Sequence, residues 1–138
     1  MPAKDIYHDR CKQALINDGW TITHDPYKLK IGRKDLFIDL AGDKLLTAEK
    51  DIQKIAVEIK SFISPSEVRD LETAIGQYVL YKNILNRIEP KRTLYLAIRD
   101  ASYIKIFEQE IGKILIENQV LKLITFNPDK EVITQWID

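Results

Sequence analysis

Lys54-Ile55-Ala56-Val57-Glu58-Ile59-Lys60 alternates strictly, with Ile55, Val57 and Ile59 on one face and Ala56, Glu58 and Lys60 on the other. A period of two is the signature of a β-strand. Upstream, Asp35-Leu36-Phe37-Ile38-Asp39-Leu40 has the same period and sets Leu36, Ile38 and Leu40 against Asp35, Phe37 and Asp39. The spacing predicts two strands, with Gly42 marking a turn after the first. Before them, a helix is expected from Ile6 to Asp18, capped by Asp5, with Tyr7, Cys11, Ala14 and Leu15 as its apolar face and Gly19 as its stop. A short β-type run, Trp20 to Thr23, leads to a turn at Asp25-Pro26. Beyond the second strand, Ser64-Pro65-Ser66-Glu67 reads as a helix start: Ser64 caps, Pro65 takes the first helical position and Glu67 completes a capping box. Val68, Leu71, Ile75 and Tyr78 carry that helix on to about Leu85. A buried strand over Thr93 to Ile98 follows, then a helix carrying Ile104, Phe107, Ile111, Ile114 and Leu115. Two last strands, Val120 to Phe126 and Val132 to Ile137, flank a turn at Asn127-Pro128-Asp129. The order implies an α/β sandwich, a central mixed sheet flanked by helices, in a single domain over residues 1–138.

Composition narrows the function classes. The chain has 138 residues, is 45% hydrophobic and 30% charged, and its 21 Lys+Arg balance 21 Asp+Glu to a net charge of +0. That excludes a strongly basic nucleic-acid coat protein but leaves room for a local basic patch. Cys11 is the single cysteine, so an intramolecular disulfide is excluded and a reducing compartment expected. With Cys11, His8 and His24 as the only sulfur or imidazole ligands, a closed zinc site is excluded; Cys11 is expected to pack in the core and both histidines to be solvated. The longest apolar run, Leu94 to Ile98, has five residues. A membrane span needs about 20 and a secretory core about 7–15, so the chain is expected to be soluble and cytoplasmic. No Gly-rich phosphate loop of either common type exists, and no Gly-x-Ser-x-Gly elbow, so nucleotide binding and serine-hydrolase chemistry have no support.

What remains is a constellation of charges. Glu58 and Lys60 share one strand face, about 6.5–7 Å apart along the chain, which is also how a half-solvated edge strand carries an ion pair. Asp39 adds a second carboxylate. If its strand pairs with that of Glu58 as a hairpin, facing side chains lie about 5 Å apart. Two carboxylates that close repel unless a cation lies between them. Mg²⁺, or Mn²⁺, suits such a site because it takes one or two carboxylates and keeps its waters. Lys60 beside them is placed to stabilise charge developing on a phosphate. Lys28, Lys30, Arg33 and Lys34, with Tyr27 alongside, form a basic cluster able to track a phosphate backbone. Glu49 is a rival to Asp39 as first metal ligand.

Asp39, Glu58 and Lys60 resemble the motif of the PD-(D/E)xK nuclease superfamily, with Ile38 where the motif's proline would stand. Gln77 and Tyr81, in Gly76-Gln-Tyr-Val-Leu-Tyr81, are similar to a Gln-x3-Tyr pattern of some nucleases of this class and share one helix face. Asp9 matches the region where some members carry an extra acid. At closer range, Met1-Pro-Ala-Lys-Asp-Ile, Asp18-Gly-Trp-Thr-Ile-Thr-His-Asp-Pro26, Lys54-Ile-Ala-Val-Glu-Ile-Lys-Ser-Phe62 and Gly76-Gln-Tyr resemble the XisH family, the fdxN element excision controlling factors of cyanobacteria. The resemblance implies a restriction-endonuclease-like fold. It also implies a role in excising a DNA element during heterocyst differentiation, alongside a site-specific recombinase and a companion protein, XisI. Two readings stand: a Mg²⁺-dependent DNA endonuclease, or a non-catalytic factor that binds DNA or a protein partner. Homo-oligomer formation is open in both.

Overall fold

A computed structural model describes residues 4–46 and 51–138. The chain runs α1 (His8–Asn17), β1 (Thr21–His24), β2 (Tyr27–Ile31), β3 (Lys34–Ile38), β4 (Leu40–Leu45), β5 (Ile52–Ile59), α2 (Glu67–Ile88), β6 (Arg92–Arg99), α3 (Asp100–Ser102), a π-helical turn over Tyr103–Phe107, α4 (Glu110–Glu117), β7 (Leu123–Asn127) and β8 (Val132–Ile137). Six strands form one mixed sheet in the order β1-β4-β5-β6-β7-β8, and β2 and β3 form a separate hairpin. The β5–β6 and β6–β7 pairs are parallel and the rest antiparallel. Parallel neighbours need a crossover; α2 supplies the first and the α3–α4 segment the second. The centre of the sheet is covered on both sides, which is why the run in β6 is buried almost throughout. No described helix is long and apolar enough to cross a membrane.

Two apolar layers hold the sandwich. On one side Cys11, Ala14 and Leu15 of α1 meet Leu40, Ile55, Val57 and Ile59. On the other, Leu71, Ala74, Tyr78 and Leu85 of α2 meet Ala56, Leu94, Leu96 and Ile98, together with Leu29 and Ile38 of the hairpin. The Tyr78 hydroxyl donates to Leu94 O at 3.0 Å and accepts from the Lys122 N–H at 3.1 Å, so its burial leaves no polar atom unpaired.

Several local expectations change. The alternating run at 35–40 is two strands, because the chain bends at Asp39 and passes from the hairpin into the main sheet. Ile38 therefore packs towards α2 and Leu40 towards α1, and the two do not share a face. Gly42 is no turn: it pairs with Ile55 inside β4, where an added Cβ would lie 3.0 Å from Thr21 O on β1. Helix α1 begins at His8, with the Asp5 carboxylate accepting from the Tyr7 N–H at 2.9 Å. The cap of α2 is Ser66, whose Oγ accepts from the Arg69 N–H at 3.2 Å. Ser64 Oγ instead donates to Asp70 at 2.7 Å, and Pro65 lies outside the helix. The helix expected through Ile104 and Leu115 breaks after the π-helical turn, where a Cβ at Gly112 would come 2.3 Å from Phe107 Cα. His8 is buried, not solvated, and its Nε2 lies 2.7 Å from Asp25 Oδ1. Lys12 Nζ also donates to Asp25, at 2.7 Å. Burial works against the Asp25 charge, yet the bonds from Lys12 and His8 outweigh it and hold its pKa below the usual range. Cys11 does pack in the core, with burial foremost among the causes that push its thiol pKa up.

One ionic knot ties hairpin, sheet and α2 together. Arg92 is 4% exposed. Its Nε and Nη2 each donate to Glu89 at 3.0 Å, and its Nη1 donates to Ile55 O at 3.0 Å and Asp43 at 3.3 Å. Its guanidinium lies 5.2 Å from the centroid of the Tyr27 ring, and the Tyr27 hydroxyl donates to Glu89. Arg92→Ala should therefore cost about 3 kcal/mol, the loss expected when one partner of a buried pair is removed. Urea unfolding checks it: the midpoint should fall with little change in slope. Arg92→Lys should recover only part of the loss, because an ammonium cannot make the bidentate contact.

Candidate functional site

The antiparallel register of β4 and β5 decides the site. Leu40 pairs with Val57, so the next position out sets Asp39 opposite Glu58. Each carboxylate is held by the other strand's backbone. The Asp39 N–H donates to Glu58 Oε1 at 3.2 Å, and the Ile59 N–H donates to Asp39 Oδ2 at 2.7 Å. The ligand-type pair that the sequence predicts is thus brought together, on the α2 side of the sheet. Lys60 Nζ stands 3.8 Å from Glu58 Oε2. After Lys60 the chain turns sharply at Phe62, whose φ of 53° is left-handed and unfavourable for a residue with a Cβ. The buried ring offsets that cost.

The electrostatics are unusual for a surface acid. Glu58 is 6% exposed, and its pKa is pushed up to about 8, first by burial, then by the Asp39 charge and a hydrogen bond shared with Asp39. Lys60 and the Asp39 N–H pull in the opposite direction without cancelling it. Burial and the neighbouring Asp39 charge therefore favour the protonated form of Glu58, as expected for a carboxyl in an apolar site beside a like charge.

A cavity of about 370 Å³ opens over this pair, and Asp39, Glu58, Lys60, Gln77 and Tyr81 all line it. Gln77 and Tyr81 reach it from one face of α2. The Tyr81 pKa is raised by burial and then by the charges of Glu58 and Asp39. Gln77 Oε1 is buried with no hydrogen-bond partner among the described residues. Asp9 is absent from the lining. It is exposed on α1 and stands 3.8 Å from Lys4. Asp5 and Asp35 line the cavity instead, and the sequence reading missed both as site residues. The cap role of Asp5 was visible, but the direction in which that cap faces depends on how α1 docks. Glu49 lies outside the described residues. Among the described residues no three His, Cys, Asp or Glu side chains gather as a metal cage.

Lys28, Lys30, Arg33 and Lys34 all sit on the β2–β3 hairpin and are exposed. Sequence reading assigned no strand to Tyr27–Ile31, though Leu29 between two lysines has the alternation of one. Gly32, at φ 58°, supplies the tight connection.

Comparison with known proteins places the fold in a family. The family model described as "XisH protein" matches residues 1–134. An XisH family protein from Nostoc punctiforme is 36% identical, with a TM-score of 0.86, over 97% of this chain and 100% of that one. An fdxN element excision controlling factor protein from Anabaena variabilis is 39% identical, with a TM-score of 0.84, over 98% of this chain and 100% of that one. No curated protein matches the sequence.

The raised Glu58 pKa sets a pH signature. An ordinary Glu titrates at 4.5 and the folded Glu58 at about 8. Between those values the folded protein keeps a proton that the unfolded chain has released, so Glu58 makes stability fall as pH rises. Glu58→Gln keeps the acceptor oxygen and removes the titration. In metal-free buffer, the variant should match the wild type near pH 4 and exceed it at pH 8 by on the order of 2–4 kcal/mol. Thermal melts across that range check it; a constant difference between the two proteins would show that Glu58 titrates normally.

Proposed function

The chain belongs to the XisH family, and from that premise we propose that it acts on DNA as a controlling factor in the excision of a DNA element, through a nuclease-type site at Asp39, Glu58 and Lys60. The observation that carries the reading is the buried Glu58 carboxylate set against half-buried Asp39, with Lys60 lining the same cavity. Two acids pressed together at the cost of a raised pKa are a poor stability device and a good cation site.

The donor set fits Mg²⁺ or Mn²⁺. Asp39 and Glu58 would hold the ion, and Glu58 would give up its proton as the ion binds. Two carboxylates are what Mg²⁺ takes when phosphate and water complete its shell, and across the cavity Gln77 Oε1 is buried without a hydrogen-bond partner among the described residues. When bound, the ion supplies Lewis acidity towards a phosphodiester. The chain's own residues do the rest. Lys60 brings its side-chain nitrogen to face negative charge gathering on a phosphate oxygen. Gln77 and Tyr81 present an amide and a hydroxyl from α2 that orient a phosphate or an attacking water.

A non-catalytic reading, in which the same cleft only binds DNA or a partner protein, gains support from the balanced charge of the chain and from Val79 and Leu80 standing exposed on α2. Both readings accommodate XisI as companion and a recombinase as the enzyme being controlled.

Calorimetric Mn²⁺ titration run beside a DNA-cleavage assay tests the proposal. Glu58→Gln should weaken metal binding about tenfold or more, since it removes a negative ligand. Lys60→Met should leave metal affinity equal or better, because a repelling cation is gone, while abolishing cleavage. A wild type that takes up no metal and cuts no DNA, alone or with XisI, would leave the binding-factor reading standing.

A further inference from the structure

The hairpin that carries the basic cluster is also a wall of the cavity. In the β2–β3 register Lys28 pairs with Phe37 and Lys30 with Asp35, and both Phe37 and Asp35 line the cavity. Leu36 lines it as well, so β3 itself is the wall, and the two lysines share one exposed hairpin face on the neighbouring strand beside it. Leu29, between them, is buried in the α2-side core. Tyr27 at the base of the hairpin is fastened to Glu89 and lies under Arg92. The ribbon is thus rigid at its root and free at its tip, where Gly32, Arg33 and Lys34 are exposed. Lys28 stands 3.6 Å from Asp35, whereas Lys30, Arg33 and Lys34 have no carboxylate partner among the described residues. In a chain whose total charge is +0, such a concentration of positive charge is local and directional.

Resting on the nuclease-type reading above, we propose that the β2–β3 hairpin is a ribbon that enters a groove of duplex DNA while the scissile phosphate lies at Asp39 and Glu58, so that the substrate is double-stranded. Lys28 and Lys30 meet the phosphates flanking the cavity, and Arg33 at the tip reaches into the groove. The dimensions agree. Asp39 lies six residue steps along the chain from Arg33, and at about 3.3 Å per step the tip stands up to about 20 Å from the acids. Half a turn of B-DNA is about 17 Å, and its major groove, about 12 Å wide, admits a two-stranded ribbon. A single strand offers no groove, and the major groove of an RNA duplex is too deep and narrow for side chains to read.

Anisotropy titrations of the full chain against a short DNA duplex, one of its strands and the RNA duplex of the same sequence test this, with Ca²⁺ present to prevent cleavage. The duplex DNA should bind about tenfold more tightly than either alternative. A Lys28→Ala/Lys30→Ala/Arg33→Ala variant should lose that preference while its single-strand affinity barely moves. Its slope of log affinity against log salt on the duplex should flatten by about 0.9 for each lost phosphate contact. All three residues are exposed, so the variant should fold, and its unchanged melting temperature verifies that. Equal affinity for duplex and single strand, or an equal loss on both in the variant, overturns the ribbon while leaving a DNA-acting protein in place. Failure of the wild type to bind any nucleic acid overturns the nuclease-type reading itself.

Discussion

The site depends on one register, the pairing of β4 with β5 that sets Asp39 against Glu58. Shifting β5 by a single residue would turn Glu58 to the α1 side, against Cys11, Ala14 and Leu15, and send Ile55, Val57 and Ile59 to the opposite face. The acids also hold one another's strands: the Asp39 N–H serves Glu58 and the Ile59 N–H serves Asp39. The bend at Asp39 is thereby satisfied by side chain where the sheet ladder stops. The same two bonds end the strand pairing and build the charge site, so fold and chemistry are coupled there.

The surroundings defend that register. Arg92, fixed on β6, reaches β5 through Ile55 O, β4 through Asp43 and the end of α2 through Glu89. Tyr27 extends the knot into the hairpin. The hairpin therefore stands at a fixed angle to the carboxylates, although it belongs to a different sheet. On the opposite side, α1 packs its Cys11 and Leu15 under the same strands and points the preceding Asp5 into the cavity. Just past Lys60, the strained turn at Phe62 is a non-glycine residue at positive φ, which marks a position constrained by more than local preference.

Much of this was legible in the residues. Alternation over Lys54–Lys60 gave the strand and its faces correctly, and the Glu58–Lys60 spacing needed no tertiary information. Gln77 and Tyr81 were accessible too, because helical geometry fixes that they share a face. What could not be read was where the chain changes sheets. Asp35 to Leu40 has unbroken alternation, and nothing local announces that Asp39 bends because Glu58 and Ile59 capture its polar groups. Gly42 looked like a turn because close approach of β1, not backbone conformation, is what requires it there. His8 looked solvated because its partner Asp25 is seventeen residues away. Each miss is a tertiary contact overriding a local rule. The family resemblance, carried by four short segments, supplied what periodicity could not.

What must hold is that Asp39 and Glu58 form a cation site and not merely a pair of hydrogen-bonded carboxyl groups. The direct measurement is an anomalous difference map from crystals grown with Mn²⁺ near pH 8, where Glu58 can release its proton. The account predicts a single peak between the two carboxylates, with the Lys60 ammonium outside the coordination shell. Carboxylates that keep their present hydrogen bonds and show no peak at saturating Mn²⁺, or a peak elsewhere on the surface, would contradict it.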